Sequence, residues 1–377
     1  MLFLLIVCFF LKFVFRRGLV VSKNLCFMFL FSLFFISCFF SRKSSTVINN
    51  QVVMGIISPR SFDTNGYFRN AFNGALNASN EFGIKLIPKV LTPYPVEGKR
   101  LMTFDEVLSE DIFALQKEGA NFIWFVSSYF SDMAIRFAYE NSDILYGIID
   151  DFSREQAVFP KNLISIVFRV EEGAFLAGYL ASKVSKSNRI GFVTGVNIPN
   201  VNRFLVGFRA GAFYENSKTR VILKRILKDR DEAVGEAVAK YMYLQDGVDV
   251  ILPVVGPAVF GIFRVAKDLG PGHYVIGIDK EHSNFAPGHV IASVIKDVGK
   301  VISDCSSDII KSRNFNVGGL IENGIKEGIV TLIKDPSIIG KDLFDVLTKI
   351  QVEIVNGELV IPSTDYELDL FKEKLKR

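Results

Sequence analysis

After about residue 50 the chain alternates between two patterns. Short apolar runs give way to stretches in which small and apolar residues recur every three or four positions, and then return. The first pattern reads as buried strand and the second as a helix with one face on a core. Strands are expected at 52–58, 84–90, 121–127, 144–150, 163–169, 189–195, 220–227, 248–255, 274–279 and 290–295. Helices are expected between them at 66–81, 104–118, 132–140, 201–214, 232–244, 259–269 and 298–310. The stretch from 167 to 195 shows the unit most plainly. A strand ends at Arg169, and Glu171 and Glu172 fall in a helix's first turn, where negative charge suits the dipole. Gly173, Ala174, Ala177, Gly178 and Ala181 form a small-residue stripe, expected to let that helix lie close on a sheet. Ser187-Asn188 ends it before the next strand. The tail is less regular. Residues 343–355 read as a helix closed by Asn356-Gly357, with a strand turning there as the alternative; a strand at 358–362 and a helix at 366–376 follow.

Strands alternating with helices of this length predict an α/β fold with parallel sheets covered on both faces. There are too many strands for one compact sheet, so two doubly wound lobes are expected. In such sheets ligands bind beyond the carboxyl ends of the strands. Here those ends are 58–63, 127–131, 150–151, 194–197, 256–257 and 279–282, rich in Asp, Ser, Asn and Gly, with Tyr67, Tyr129, Phe130 and Phe204 near them. That mixture suits a flat, neutral, hydroxyl-bearing ligand: rings to stack on, carboxylates to accept hydroxyl protons.

The 377 residues are 49% hydrophobic, which excludes general disorder. A net charge of +4, from 44 basic and 40 acidic residues, is no argument for nucleic acid. Much of the apolar content sits in two N-terminal runs, 2–15 and 25–40, separated by Arg16-Arg17 and Lys23. The second reads as the apolar core of a signal peptide covering 1–37. It ends in Ile36-Ser37-Cys38, which resembles a bacterial lipobox, so Cys38 is the expected site of lipidation and 38–50 the tether. The alternative is one uncleaved membrane anchor with the cysteine incidental. Cys8 and Cys26 lie in the same region, leaving Cys305 alone in the folded part, where it cannot form an internal disulfide.

Several longer segments carry a family resemblance: 121–124 (NFIW), 146–150 (YGIID), 168–179 (FRVEEGAFLAGY), 207–212 (GFRAGA) and 273–279 (HYVIGID). With them the chain resembles the basic membrane protein family, nearest its spirochaetal members. These are lipid-anchored, purine-nucleoside-binding proteins of ABC-type importers. The resemblance implies a type I periplasmic-binding-protein fold, with two lobes joined by crossover hinge strands. One lobe is expected from 51–164 plus 290–330 and the other from 165–289 plus 331–377. It implies that Tyr67 and Phe204 stack on the base and that Asp279 and Lys296 hold ribose hydroxyls. Asp63 matches the first Asp of an Asp-Asp-Lys-Ser-Phe-Asn motif, Asp132 an Asp of a Ser-Asp pair, and Gly256 the first Gly of a Gly-rich loop. The rest of the first motif has changed to Thr64, Asn65, Gly66 and Phe68, and Pro59 stands where an acid is usual. The ribose side is thus kept and the base side altered.

The expected function is a lipid-anchored binding protein of the cell envelope, monomeric and without catalysis, cofactor or metal. It would close on a purine nucleoside and deliver it to an ABC permease. His273, His282 and His289 lack metal-ligand spacing, and Asp150-Asp151 reads as a strand end capping a turn. The alternative is an adhesin that binds host extracellular proteins through its surface, with a degenerate cleft.

Overall fold

The structure, a computed structural model, describes residues 51–62, 66–93, 102–151, 160–195 and 198–376. Asp63 and Cys38 lie outside them. Twelve strands among these residues form two six-stranded sheets. The first sheet takes β1 (Val53–Ser58), β2 (Lys85–Val90), β3 (Phe122–Val126), β4 (Leu145–Ile149), β5 (Leu163–Phe168) and β11 (Gly319–Asn323). The second takes β6 (Arg189–Thr194), β7 (Arg220–Arg225), β8 (Val250–Val254), β9 (Tyr274–Asp279), β10 (Val290–Lys296) and β12 (Val330–Lys334). Their orders, β11-β5-β4-β3-β1-β2 and β12-β10-β9-β8-β6-β7, are the same pattern repeated. β4 therefore corresponds to β9, and β5 to β10. This is the α/β, doubly wound, two-lobe architecture expected from the sequence.

Three helix pairs clasp the sheets at glycines. In the first lobe α1 (Tyr67–Phe82) crosses α8 (Val298–Ser312), and a Cβ on Gly74 would stand 2.1 Å from the Gly299 carbonyl oxygen. In the second, α4 (Val170–Val184) packs on α5 (Pro199–Glu215), and α6 (Glu232–Leu244) on α7 (Val259–Leu269). Helices α2 (Phe104–Lys117) and α3 (Ser131–Glu140) cover the other face of the first sheet. The short α9 (Pro336–Ile339) leads into α10 (Lys341–Val355), and α11 (Asp365–Leu375) closes the chain under a capping box from Thr364 and Glu367. Its Phe371 meets Phe175 of α4 edge-on, with centroids 6.0 Å apart.

Several expectations need correction. The small-residue stripe of α4 serves two partners. Gly173 faces Val294 and Val330 of the sheet, while a Cβ on Gly178 would lie 2.1 Å from the Phe208 carbonyl oxygen of α5. Close helix–helix approach is thus as much its purpose as contact with the sheet. Glu171 does more than face a helix dipole: buried, it pairs with the buried Arg203 of α5 through both carboxylate oxygens. Strands β11 and β12 were not expected, and β12 runs antiparallel to β10. Residues 358–362 form no strand. Strand β10 pairs with β9 and β12, so 290–296 belongs to the second sheet and not to the lobe built on 51–164. Residues 165–168 stay in the first sheet with β5. The chain therefore passes between the sheets near 169, 297 and 324–329.

At the first passage Arg169 donates to Glu172 (2.7 Å) and Glu327 (2.6 Å), and Glu172 accepts from the Ile325 amide at 2.7 Å. At the second, Asp297 accepts from Asn70 and from the Lys300 amide. Each passage is thus tied by charge-assisted hydrogen bonds to a neighbouring element.

Candidate functional site between the sheets

The carboxyl ends of the two sheets face a common cavity of about 260 Å³. Its walls include Tyr67, Ser127, Asp150, Asn200, Gly256, Asp279 and Lys296. Asp150 follows β4 and Asp279 ends β9, so corresponding strands of the two lobes each deliver one carboxylate. Both residues have left-handed backbones, with φ of 64° and 63°. Aspartate tolerates that region better than most residues, at a cost in backbone strain.

Asp150 is the centre of the arrangement. Its Oδ2 accepts from Tyr67 Oη at 2.8 Å and from Lys296 Nζ at 2.9 Å, and its Oδ1 accepts a longer bond from Asn200 Nδ2 at 3.4 Å. Asp150, Lys296 and Asn200 are 7%, 5% and 7% exposed. Lys296 comes from β10 and Asn200 from α5, so elements of both lobes meet on one carboxylate. The Lys296 ammonium also lies 4.6 Å from the Tyr67 ring centroid and 5.2 Å from that of Phe168, a cation–π setting that partly replaces its lost hydration. Asn200 Oδ1 is buried without a partner, an acceptor left open in the cleft wall.

Burial, reinforced by the Asp150 carboxylate, holds the Tyr67 phenol well above its ordinary value of 10, so it remains a neutral donor. Burial likewise raises the Asp279 carboxyl above 3.8; Lys296 opposes the shift and Asp150 adds to it. A half-desolvated carboxylate of this kind gains from any hydroxyl donor that enters beside it. The set offers one free carboxylate, an ammonium, an amide oxygen and a ring. That is equipment for holding a polyhydroxy, ring-bearing solute. Among the described residues no group of three or more His, Cys, Asp or Glu is placed to hold a metal.

Of the expected site residues, Tyr67, Gly256, Asp279 and Lys296 come together on this cavity. Phe204 does not: at 3% exposed it packs in the core under α5 and lines neither this cavity nor the one beside it. The α5 residue that does reach the cleft is Asn200, one helical turn earlier. Asp132 is exposed in the first turn of α3 and also lies off the cavity, where Ser127 and Ser128 stand instead. Asp150 and Asn200 were missed as site residues. Asp150 carried the signal, since it ends an apolar run at a strand's carboxyl terminus. Asn200, between Pro199 and Val201, carried none.

Comparison with known proteins gives a consistent family. The sequence model of the Bmp family, described as "ABC transporter substrate-binding protein PnrA-like", matches residues 51–365. The chain is 43% identical over 344 residues to Basic membrane protein C of Borreliella burgdorferi, covering 91% of this chain and 97% of that protein. It is 34% identical over 352 residues to Basic membrane protein A of the same organism, covering 93% and 98%. In three dimensions it resembles a solute-binding protein of an ABC transporter system from Aeropyrum pernix K1. The TM-score is 0.70 at 22% identity, over 87% of this chain and 98% of that one.

Proposed function

We propose, from the premise that this chain belongs to the Bmp family of PnrA-like ABC transporter substrate-binding proteins, that its cleft takes a purine nucleoside. The family is one of solute-binding proteins rather than enzymes, and it implies a small-molecule ligand and a membrane permease as partners.

One observation carries the nucleoside reading: Asp279 and Lys296 stand side by side on a cavity that also presents the Tyr67 ring. Asp279 would accept from ribose hydroxyls, Lys296 would donate to them, and Asn200 Oδ1 would take a further donor. The Tyr67 ring, held by its bond to Asp150, would supply one stacking face for the base. Phe204 would not supply the second. Because Lys296 and Asn200 already join Asp150 across the cleft, a ligand bonded to both lobes would favour their closed arrangement, the form a permease would accept. Delivery to the permease requires the protein to stay at the membrane. Lipidation of Cys38 and anchoring through the 38–50 tether supply that in this reading. Among the described residues no helix is long and apolar enough to cross a membrane.

Isothermal titration of the purified full-length chain, in detergent, with adenosine, guanosine, inosine and uridine tests the reading. Saturable heat with a purine nucleoside, lost in Lys296→Met, is the expected result. Silence with all four refutes it.

A further inference from the structure

A second cavity of about 200 Å³ adjoins the first and shares Tyr67, Val255, Gly256, Ile278 and Asp279 with it. Its character is different. Three cations line it: Arg60 just beyond β1, Arg230 between β7 and α6, and Lys280 just beyond β9. They come from both sheets' carboxyl ends, and none forms an ion pair with a carboxylate among the described residues. Asp279 is the one carboxylate among the residues lining this cavity.

The backbone adds to the positive field. Gly66, Tyr67 and Phe68 bring the N-terminus of α1 to the wall, and Val259 and Phe260 bring that of α7. Neither helix has a side-chain cap or an acidic residue in its first turn. The positive ends of a 16-residue and an 11-residue helix therefore converge on one space in which Asp279 is the one carboxylate among the lining residues. His282 also lines the cavity; it is 4% exposed, and its Nδ1 has no hydrogen-bond partner. That nitrogen lies against Gly277 of β9, beside Ser293 Oγ, so the charge left unanswered in the cavity is that of the three cations. A neutral nucleoside filling only the first cavity would leave these three cations without an anion among the described residues.

We propose that the second cavity seats a phosphate monoester carried by the sugar-bearing ligand, so that the protein prefers a nucleoside monophosphate to the bare nucleoside. The proposal rests on the nucleoside reading of the adjoining cavity. Asp279 stands at the junction, with the sugar on one side and the phosphate on the other. Arg60 from the first lobe and Arg230 from the second would grip the same phosphate, which would close the cleft as well as bind the ligand.

The test is isothermal titration of the full-length chain in detergent with adenosine, adenosine 5′-monophosphate, guanosine, guanosine 5′-monophosphate and inorganic phosphate. The expected result is monophosphate binding about tenfold or more tighter than the matching nucleoside at low salt, with the gap narrowing as salt rises. Inorganic phosphate should compete with the monophosphate. Arg60 and Arg230 are both exposed, so Arg60→Ala/Arg230→Ala should fold; the affinity ratio of monophosphate to nucleoside should fall to about 1. Arg230→Glu alone should push that ratio below 1. Nucleosides that bind as tightly as their monophosphates, or more tightly, overturn this proposal and leave the nucleoside reading standing. A chain that binds neither class refutes the nucleoside reading, and this proposal with it.

Discussion

Asp150→Asn isolates the interaction on which the cleft is built. The substitution keeps the shape of the side chain and an oxygen for the Tyr67 hydroxyl, which lies 2.8 Å away. It removes the charge facing the Lys296 ammonium at 2.9 Å, where lysine and aspartate side chains are 5% and 10% exposed. Removing one partner of a buried ion pair costs about 3–5 kcal/mol, because the other is left charged and dry. Asp279 remains nearby and the Tyr67 and Phe168 rings still face the ammonium, so the lower end applies: about 3 kcal/mol. Lys296→Met should cost a similar amount by stranding the carboxylate. The double variant removes both charges and should cost little more than either single one, a coupling of about 2 kcal/mol or more. Urea unfolding at neutral pH, followed by tryptophan fluorescence, measures all three. The chain's single tryptophan, Trp124, is fully buried and bonded to Ser306 Oγ at 3.0 Å, so it reports on the first lobe directly. Two single effects that add to within about 0.5 kcal/mol would refute the argument that the pair is a buried, mutually dependent unit.

Asp279→Asn should weaken purine nucleoside binding by about 1–3 kcal/mol while stabilising the free protein at neutral pH. A carboxyl whose pKa is raised by folding contributes stability that is complete below its unfolded value of 3.8 and is lost as pH rises through the folded one. The advantage of the variant in urea melts should therefore grow from pH 4 to pH 7, and a constant difference would contradict the assignment. His282 has the opposite slope. Burial, with help from Lys280, pushes its imidazole from 6.5 down to about 4, so its contribution is complete above 6.5 and is lost as pH falls toward 4. His282→Gln should flatten acid destabilisation over that window by on the order of 3 kcal/mol, read from melts at successive pH values. Gly74→Ala should destabilise the first lobe by about 3 kcal/mol, since its Cβ would meet the Gly299 backbone rather than a side chain that can move. The same change at the exposed αL position Gly83, where nothing lies within 4 Å, should cost only the backbone strain of about 1 kcal/mol.

Much of the site was readable from strand ends. Asp279 terminates β9 and was expected at the cleft from the rule that ligands lie beyond the carboxyl ends of parallel strands, whereas Lys296, at the end of β10, was assigned there through the family resemblance; both line the cavity. The same rule pointed at Asp150, but an acid after a strand is more often a turn cap, and only its pairing with Lys296, 146 residues later, distinguishes the two roles. Phe204 and Asn200 show the converse. Both lie on α5, and which of them reaches the cleft depends on how the helix is rotated against α4. That rotation is set by Gly178 and Gly211 meeting the partner helix's backbone and by the Glu171–Arg203 pair, contacts that span two helices.

The sequence by itself determined the order and kind of the elements through β10 and the doubly wound class. Those follow from which face of each segment must leave water, a property written in the spacing of its own residues. The tertiary structure decided which sheet received β10, that β11 and β12 exist at the sheet edges, and that Asp150 pairs with Lys296 on a cavity that the corresponding Asp279 also lines. Edge strands bury little and pair with partners far along the chain; β11 joins β5 more than a hundred residues earlier. Such choices are made by summed contacts between distant segments, and no local window of the chain contains both sides of them.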